Sequence, residues 1–396
     1  MWKSNERYAA IDAYFTATMA NNTKRAAMIL LLLFTCSFVW AQKDVITITN
    51  KSAHAREEVV AIPWRTVLQH FPNLDTAFFK VINAISKKEY PVQLALNGTD
   101  SVQQLFVYVA VPAKSAINLQ LVKGKRAPIA SKTYCRFVPE RKDDFAWEND
   151  RIAFRVYGKA LEQTPNEMAF GIDVWVKRTD SLVINKRYRR GNYHEDAGDG
   201  LDYYHVGLTL GAGGIAPFMD DTIRYPGTFS SWKILNNGPL RSTFQLVYDE
   251  WNAGNKKLRM TKTVSIDAGS QFTRTEVHFV SNDNEPLPVV TGIIKRKEAG
   301  AMLLNEQEGL LAYWEPQHGK DGTTGVACIT EAPVIKMGVD VTHLLVHSVA
   351  APQQPFVYYH GAAWDKGGRV ASAKDWFAHV QTFRTNLKQP LAVSIQ

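Results

Sequence analysis

One stretch of this chain, residues 183–214, concentrates side chains that can move protons or hold charged ligands. A cationic run opens it, a cluster of carboxylates follows within eight residues, and two histidines flank that cluster. The cations are Lys186, Arg187, Arg189 and Arg190, the carboxylates are Glu195, Asp196, Asp199 and Asp202, and the histidines are His194 and His205. Neither a core strand nor an amphipathic helix needs such groups packed between glycines. The composition therefore predicts a polar active-site loop.

The two histidines are the first candidates for proton transfer, because imidazole gains and loses a proton near neutral pH. Tyrosines stand beside both of them. If the chain is extended at Tyr203 and Tyr204, one of these side chains faces the core and the other the cleft, and we choose Tyr204 for the cleft. The predicted catalytic residues are therefore His194, Tyr204 and His205.

The cationic run predicts a surface that binds an anionic group, since arginine side chains bind carboxylate or sulfate through paired hydrogen bonds. A solvated strand edge explains the same run equally well. Two further loops, residues 313–322 and 358–368, carry polar and aromatic side chains that could join the site, although ordinary loop structure also accounts for them. The predicted substrate-binding residues are Lys186, Arg189, Arg190, Tyr193, His318 and Trp364.

Three aspartates, Asp196, Asp199 and Asp202, recur at every third position with glycines between them. Oxygen ligands on a flexible loop can hold Ca²⁺ or another divalent cation. The spacing is not that of a helix-loop-helix calcium site, and carboxylates paired with Arg189 and Arg190 are the alternative. The sequence requires no cofactor, but it admits a divalent cation such as Ca²⁺ at these aspartates.

Composition narrows the classes of partner. Of the 396 residues, 45% are hydrophobic and 21% are charged, which is normal for a globular protein with a sizeable core. The net charge of +8 suits an anionic substrate. A nucleic-acid partner is excluded, because the sequence contains no recognised motif and no long basic stripe. The 10 Trp and 15 Tyr suit a sugar-binding cleft, although most of these rings will belong to the core.

Residues 1–41 are interpreted as a signal peptide with an N-terminal extension. Two cations precede an apolar run over residues 26–40, and small residues around Ala41 provide a cleavage site. A translation start at Met19, just before those cations, is the alternative. The apolar run is too short for a stable membrane span. We therefore predict cleavage after Ala41 and a periplasmic or secreted protein.

Strand signals recur through the rest of the chain, and helix signals are few. Runs such as FTRTEVHFV alternate polar and apolar residues, which indicates antiparallel sheet with one face in water. We predict an all-β fold, a large antiparallel β-sandwich over residues 42–396, with a smaller β subdomain over residues 42–125 as an alternative division. A strand over residues 171–178 is expected to deliver the chain to the active-site loop.

Two helices are predicted outside this pattern. Residues 63–71 form a short one. The C-terminal helix begins after Ser372, which can cap it, and its apolar face is formed by Trp376, Val380, Phe383 and Leu387. Cys135 and Cys328 are the cysteines that remain after signal cleavage. Their spacing leaves open whether they form a disulfide, and two cysteines are too few for a cysteine-rich metal site.

A series of motifs resembles a known family. In chain order these motifs are WENDRIAFRVYG, GIDVWVKR, YHEDAGDGLDYYHVG, GAGG, NNGPLRSTF, SIDAGS, AYWEP and GAAWDKGG. They are similar to a family of exported bacterial proteins, long described as a domain of unknown function, whose members occur in polysaccharide-utilisation loci. The resemblance runs from about residue 46 to residue 393. It implies a sandwich like those of galactose mutarotases and polysaccharide lyases.

The resemblance also implies an activity, since the family is taken to include an oligosaccharide dehydratase that acts on ulvan fragments. Such an enzyme removes water from a terminal uronic acid and leaves a 4,5-unsaturated sugar. The residues that match the family pattern are His194, Asp196, Asp202 and Tyr204. The chain departs from the pattern where family members often have Lys, Cys and Glu, at His205, Ala212 and Asp199 respectively. The difference at His205 leaves one proton-transfer group open.

Three functions are consistent with these residues. The first is a β-eliminating enzyme acting on an anionic oligosaccharide, either a dehydratase or a chain-cleaving polysaccharide lyase. The second is a glycoside hydrolase, which would need two carboxyl groups across a cleft rather than on one loop. The third is a non-catalytic carbohydrate-binding protein whose aromatic residues stack on sugars. The sequence leaves the polysaccharide and the oligomeric state open.

Overall fold

Two β-sandwiches of unequal size make up residues 44–396, the part of the chain that the computed structural model describes. Spatial contacts group Val45–Gln396 into one compact unit. The predicted signal peptide, its cleavage site and the alternative start at Met19 lie outside the described residues. Within residues 44–396, the structure contains no helix long and apolar enough to cross a membrane.

The described chain contains 25 strands. They are β1 (Ile46–Asn50), β2 (Arg56–Pro63), β3 (Phe79–Asn83), β4 (Glu89–Tyr90), β5 (Val92–Ala95), β6 (Gln104–Val111), β7 (Ser115–Lys123), β8 (Thr133–Val138), β9 (Asp144–Asn149), β10 (Ala153–Val156), β11 (Asp173–Trp175), β12 (Ala212–Met219), β13 (Thr222–Ile223), β14 (Ser231–Asn237), β15 (Arg241–Ala253), β16 (Lys256–Asp267), β17 (Phe272–Ser281), β18 (Leu287–Ile294), β19 (Ala301–Asn305), β20 (Leu310–Trp314), β21 (Thr324–Thr330), β22 (Val334–Val339), β23 (His343–Ala350), β24 (Phe356–Trp364) and β25 (Ala392–Ile395). The α-helices are α1 (Trp64–His70), α2 (Ile184–Arg190) and α3 (Ala373–Lys388). Short 3-10 turns lie at Pro139–Arg141, Lys159–Gln163, Pro165–Glu167, Gly319–Asp321 and Asp365–Gly367.

The smaller sandwich pairs a five-stranded sheet, in the order β25-β1-β7-β3-β4, with a three-stranded sheet, β2-β6-β5. Its core has its own set of buried apolar side chains, among them Ile46, Phe79 and Val107. Strand β25 comes from the C-terminal end of the chain and pairs with β1, with Ile46 opposite Ile395. The smaller sandwich is therefore built from both ends of the described chain.

The larger sandwich packs an eight-stranded sheet, β14-β15-β16-β17-β24-β21-β20-β19, against two smaller sheets. Those sheets have the orders β13-β12-β18-β23-β22 and β11-β10-β9-β8. Every strand pair within the sheets is antiparallel, and the shared core includes Trp147, Phe154, Phe244 and Tyr358. Burying these large side chains is the main source of stability for such a fold. The predicted all-β antiparallel sandwich is confirmed.

Both predicted helices are present. The first is α1. In the second, α3, the Ser372 hydroxyl accepts a hydrogen bond from the Asp375 N–H, and Trp376 and Val380 are buried against the outer face of the eight-stranded sheet. That cap satisfies an N–H that has no partner within the helix.

The path into the predicted active-site loop differs from the expected one. The strand expected over residues 171–178 is only the three residues of β11, and the cationic run forms helix α2 rather than a loop or strand edge. The carboxylate of Glu148 accepts hydrogen bonds from the N–H groups of Val183 (2.7 Å) and Ile184 (2.8 Å), at the start of that helix. Glu148 is buried and paired with Lys177 at 2.9 Å. A buried carboxylate thus satisfies the free N–H groups that begin the helix.

Cys135 and Cys328 are both buried, and both are free thiols. They lie in the core of the larger sandwich, Cys135 on β8 and Cys328 on β21. The disulfide that their spacing left open is not formed.

Candidate active site

An open pocket of about 530 Å³ lies at one side of the larger sandwich. Four parts of the chain line it: Arg141 in the turn before β9, the end of β10 with the residue that follows it, the segment from Pro165 to Ala169, and the loop from His194 to Leu208. The pocket has the size of typical ligand-binding cavities, about 300–1,000 Å³. All three predicted catalytic residues, His194, Tyr204 and His205, are among its lining residues.

The floor of the pocket is a buried ionic cluster around Arg155 of β10. Its guanidinium lies 2.6 Å from Asp173 and 2.9 Å from Asp202, and its Nε is 3.7 Å from Asp144. Arg155 is 4% exposed. Register explains the arrangement, because Arg155 stands directly opposite Asp173 in the pairing of β10 with β11. A charge removed from water in this way needs close partners on several sides.

Two carboxyl groups of this cluster hold their protons unusually tightly. Burial raises the pKa of Asp144 to about 7, although Arg155 and Arg141 both act to lower it. The pKa of Asp173 is raised to about 7 as well, by burial first and by the charge of Asp202 second. Close carboxyl groups titrate together. Burial thus favours the protonated forms of Asp144 and Asp173 relative to carboxyl groups in water.

Arg141 provides the cation that is least committed to the cluster. It lines the pocket, its side chain is 26% exposed, and its Nη1 is 3.4 Å from Asp144. That separation is longer than a strong charge-assisted hydrogen bond, which is about 2.7–2.9 Å. Arg141 is therefore the guanidinium best placed to bind an anionic group of a ligand.

The orientation of the His194 ring follows from one hydrogen bond. Its Nδ1 lies 2.8 Å from the backbone carbonyl oxygen of Asp202. A carbonyl oxygen only accepts hydrogen bonds, so Nδ1 carries the proton and Nε2 of the neutral ring keeps a free lone pair. The side chain is 65% exposed, and its ring packs beside Tyr193, whose ring stacks on Trp175. His194 is thus arranged as a proton acceptor open to the pocket.

The choice of Tyr204 as the cleft-facing tyrosine needs correction. Tyr204 contributes to the lining, but it is 4% exposed and its hydroxyl oxygen is buried. Burial, and next the charge of Glu315, raise the pKa of this phenol well above its ordinary value. Tyr203 is half-buried, and its hydroxyl is 2.6 Å from that of Thr324. Neither hydroxyl is a free group at the surface of the pocket.

Arg296 contacts three residues at or next to the pocket, Tyr204, His205 and Glu315. Its guanidinium carbon lies 4.6 Å from the centre of the Tyr204 ring, its Nη1 donates to the backbone carbonyl of His205 (2.7 Å), and its Nε donates to Glu315 (2.8 Å). Burial raises the pKa of Glu315 to about 7, against the effect of Arg296. This arginine fixes the backbone from which the exposed His205 side chain projects.

The cationic residues of α2 are not part of the pocket lining. Lys186 lies 2.9 Å and Arg190 3.4 Å from the carboxylate of Asp199, while Arg189 is exposed on the same helix. Arg187 is completely buried and donates to the backbone carbonyls of Val176 and Asp199. Lys186, Arg189 and Arg190 do not line this pocket, and the Asp199 partner of Lys186 and Arg190 lies on the helix side of the loop, so their binding of substrate stays a prediction.

The three aspartates of the acidic run pair with cations in three different parts of the chain. Asp196 pairs with Arg178, Asp199 with the cations of α2, and Asp202 with Arg155. Asp196 also accepts hydrogen bonds from the N–H groups of Gly198 and Gly200. Within the described part of the chain, no group of three or more carboxylate, histidine or cysteine side chains could hold a metal ion. The structure thus favours the ion-pair alternative for Asp196, Asp199 and Asp202.

Of the aromatic and loop residues predicted to bind substrate, two lie at or next to the pocket. Tyr193 packs beside His194, and His318 is exposed and stacks on Tyr203 with ring centres 5.1 Å apart. Trp364 does not belong to the site. It is 3% exposed, its indole N–H donates to the backbone carbonyl of Asp321, and its ring packs in the core of the larger sandwich, so it offers no face to a ligand.

Sequence reasoning missed the residues of the floor, which are Arg141, Asp144, Arg155, Tyr157 and Asp173. One signal for them was present. Arg155 in IAFRV and Asp173 in GIDVWV are single charges inside otherwise apolar strands. A charge in such a strand is rarely buried unless it is paired. Two opposite charges of this kind would have suggested a buried ionic cluster.

A family described as Domain of unknown function (DUF4861) matches residues 48–393. A Formosa agariphila protein named uncharacterized protein P7 is 32% identical over 287 residues, which cover 68% of this chain and 71% of that protein.

Among solved structures, a protein in the glycosyl hydrolase family 38 from Enterococcus faecalis is similar, with a TM-score of 0.50 and 10% identity. The match covers 89% of this chain and 47% of that one. An alpha-mannosidase from Enterococcus faecalis has a TM-score of 0.47, 10% identity, and coverage of 89% and 46%. This chain therefore spans about half the length of these structures, and at such identities the similarity concerns the fold alone.

Proposed function

The chain belongs to the DUF4861 family, and we propose that it is a carbohydrate-active β-eliminating enzyme. Its reaction is the removal of water from a terminal uronic acid of an oligosaccharide, which gives a 4,5-unsaturated sugar. The observation that supports this proposal is the meeting of a partly exposed guanidinium, Arg141, and two exposed imidazoles, His194 and His205, in one open pocket.

Arg141 binds the carboxylate of the uronic acid. The proton on carbon 5 is only weakly acidic while the neighbouring carboxylate keeps its full negative charge. A guanidinium that shares this charge stabilises the carbanion-like transition state formed when the proton leaves. Arg155 also lines the pocket, but it is only 4% exposed and its Nη2 binds Asp173 and Asp202.

His194 is the base that takes the proton from carbon 5. Its Nε2 keeps a lone pair because Nδ1–H is donated to the carbonyl of Asp202. The same hydrogen bond, and the Asp202 carboxylate at 3.8 Å, stabilise the imidazolium that forms. The electron pair of the C5–H bond becomes the second bond between carbons 4 and 5.

His205 is the acid that protonates the leaving hydroxyl. As the bond from carbon 4 to this oxygen breaks, the proton from imidazolium turns a poor leaving group, hydroxide, into water. His194 has then gained one proton and His205 has lost one, and exchange with solvent restores both because each side chain is exposed. The contact of Arg296 with the His205 carbonyl holds this second imidazole at the pocket.

Hydrolysis is less well supported by the same pocket. A glycoside hydrolase uses two carboxyl groups on either side of the glycosidic bond. The carboxylates in the lining are Asp202, which is held by Arg155, and Glu167, which pairs with Lys142 at 2.8 Å. The fold shared with a glycosyl hydrolase family 38 protein is compatible with either chemistry, because one fold can host many reactions.

Mass spectrometry and ultraviolet absorbance on a panel of uronic-acid oligosaccharides test the proposal. The panel contains ulvan, pectin-backbone and glucuronidated fragments. Loss of one water with a new conjugated absorbance and unchanged chain length is the expected result. The same absorbance with shortened chains would identify a polysaccharide lyase, and gain of water without absorbance a hydrolase. Affinity for a glycan with no new product across the panel would identify a binding protein instead.

A further inference from the structure

Three rings in contact connect the core of the protein with the pocket. Trp175 at the end of β11 is 1% exposed, the Tyr193 ring stacks on its indole with ring centres 4.9 Å apart, and the His194 ring packs beside Tyr193 at 4.6 Å. Along this aromatic column the side chains pass from buried to half-buried to 65% exposed. The proposed base is therefore connected to the core through the ring of Tyr193.

The backbone around Tyr193 is held in place as well. Its carbonyl oxygen accepts a hydrogen bond from the N–H of Asp202 at 2.8 Å, and Asp202 forms an isolated antiparallel bridge with Trp175. The carbonyl oxygen of Asp202 in turn lies 2.8 Å from Nδ1 of His194. Both ends of the loop between residues 193 and 202 are thus attached to β11, so the Tyr193 ring has a fixed position beside His194.

His194 needs this support because it is exposed. An exposed side chain changes rotamer within nanoseconds unless packing restrains it. A hydrogen bond that water can reach contributes little by itself, since water competes for both partners. Contact with the face of Tyr193 favours the rotamer in which Nδ1 of His194 donates to Asp202. That rotamer keeps the lone pair on Nε2, the atom that takes the proton from carbon 5.

Tyr193 also contacts the arginines of the pocket. The guanidinium carbon of Arg155 lies 5.7 Å from the centre of the Tyr193 ring. The pKa of Arg141 lies above its ordinary value, although burial, the largest influence, and the charge of Arg155 act to lower it. Asp144 and a hydrogen bond with the Tyr193 side chain act in the raising direction. One tyrosine thus contacts both the proposed base and the guanidinium proposed to bind the carboxylate.

We propose that Tyr193 is a positioning residue for the elimination. Its ring holds His194 in the tautomer of a base, and its hydroxyl holds Arg141 for the carboxylate of the uronic acid. The assignment rests on the proposed function, and it differs from the direct substrate contact that the sequence predicts for Tyr193. Two substitutions separate the contacts, because Tyr193→Phe removes only the hydroxyl and Tyr193→Leu removes the ring.

Nitrogen-15 NMR of the histidine side chains tests the first contact without a substrate. At a pH where the ring is neutral, the chemical shifts of Nδ1 and Nε2 report which nitrogen carries the proton. The His194 signals are assigned by their loss in His194→Ala. We expect the Nδ1–H tautomer in the parent protein and in Tyr193→Phe, and a mixture of tautomers in Tyr193→Leu. An unchanged Nδ1–H tautomer in Tyr193→Leu would overturn the role of the ring.

Tyr188→Leu is the matched control for this measurement. The Tyr188 ring packs on the same indole of Trp175, also at 4.9 Å, and its hydroxyl oxygen is buried. The substitution disturbs the same group of aromatic residues but keeps the contact between Tyr193 and His194. The His194 tautomer should therefore stay that of the parent protein. A mixture in Tyr188→Leu as well would contradict a specific role of Tyr193.

Steady-state rates on the uronic-acid oligosaccharide test what each contact does. Tyr193→Leu should lower kcat by about 10–10²-fold, since a small misplacement of a reacting group can cost about 10²-fold. Tyr193→Phe should leave kcat within about twofold and raise KM about fivefold, the order expected for one lost hydrogen bond. A higher KM with unchanged kcat in Tyr193→Leu would assign Tyr193 to direct substrate contact and overturn the positioning role.

A double-mutant cycle locates the contact of the hydroxyl. In the presence of Arg141→Met, Tyr193→Phe should raise KM no further, because the partner of the hydroxyl is already absent. Equal increases of KM with and without Arg141→Met would contradict the contact between Tyr193 and Arg141.

Failure of this inference and failure of the proposed function give different results, because the tautomer is read without substrate. If no oligosaccharide loses water but Tyr193→Leu mixes the tautomers, dehydration is refuted and the positioning of His194 stands. If water is lost and the tautomer in Tyr193→Leu is that of the parent protein, dehydration stands and the positioning role is refuted.

Discussion

Helix α2 and the floor of the candidate active site both combine arginine with aspartate, but they use these residues in opposite ways. Around Asp199, the exposed Lys186, the half-buried Arg190 and the buried Arg187 of α2 lower the pKa of that carboxyl, although its burial acts in the other direction. On the floor, one buried arginine serves three carboxyl groups, and burial raises the pKa of Asp144 and Asp173 to about 7. The dense run of charges in the sequence thus forms a helix whose cations, apart from the buried Arg187, are at least partly exposed. The isolated charges within apolar strands mark the pocket.

Arg155→Met should have the largest effect on stability, because it removes the central cation of the buried cluster and leaves Asp173 and Asp202 buried without it. Removing one partner from a buried ion pair costs about 3–5 kcal/mol. The free energy of unfolding by urea should fall by that order. Arg189→Met on α2 is the matched control and should change it by less than about 0.5 kcal/mol, as surface substitutions usually do. Similar losses from the two variants would remove the distinction between the regions.

His194→Ala should reduce kcat/KM by about 10²–10⁴-fold on the uronic-acid substrate, the usual range for loss of a general base. His318→Ala is the control, since His318 is also an exposed histidine but lies outside the lining of the pocket. Steady-state rates of absorbance increase measure both variants. Full activity of His194→Ala, with folding unchanged, would show that His194 is not the base.

Arg141→Met should lower kcat/KM by about 10²-fold, a typical loss when one donor to a developing negative charge is removed. Lys186→Met deletes a cation of α2 and should leave the rate within about twofold, because surface charges away from the pocket contribute little. A comparable loss from Lys186→Met would mean that helix α2 and not the floor binds the carboxylate.

The free energy of unfolding should depend on pH through both regions, with opposite signs for the floor of the pocket and for helix α2. This effect should be smaller than those of the variants above. The raised pKa of Asp144, about 7, means that its contribution is fully present below the unfolded pKa and is lost as the pH rises through about 7. Asp199 has a lowered pKa, so its contribution is present above the unfolded pKa and is lost as the pH falls.

Asp144→Asn should therefore flatten the decrease in thermal unfolding temperature between pH 4 and about 8, and Asp199→Asn should flatten the decrease toward low pH. Scanning calorimetry across this range measures both. Shifts of the same sign in the two variants would contradict the assigned pKa directions.

The sequence predicted the fold class because strand patterns are local. Alternation in FTRTEVHFV and the cap at Ser372 both depend on neighbours within a few residues, and both agree with the structure. It also indicated that His194 and His205 lie near each other, since they are eleven positions apart in one polar loop, and both line the same pocket.

The floor could not be predicted in the same way, because it depends on strand register. Arg155 meets Asp173 across β10 and β11, and it meets Asp202 only through the loop that returns beyond α2. No local pattern specifies which of two tyrosines turns inward, and Tyr204 does so because Arg296 and Glu315, about a hundred residues later, provide its surroundings. The buried cluster and the inward position of Tyr204 both depend on contacts between residues far apart in the sequence, which local composition does not specify.

The pairing of β1 with β25 limits where the chain can be truncated and leaves one edge of β1 exposed during synthesis. Ile46 and Ile395 are opposite each other, so the five-stranded sheet lacks one strand until residues 392–395 have been synthesised. Until then β1 presents an open edge, which is the surface through which β-proteins aggregate. A fragment that ends near residue 125, or any truncation before Ala392, would leave that edge of β1 open. Shortened or fused forms of the chain therefore need to retain strand β25.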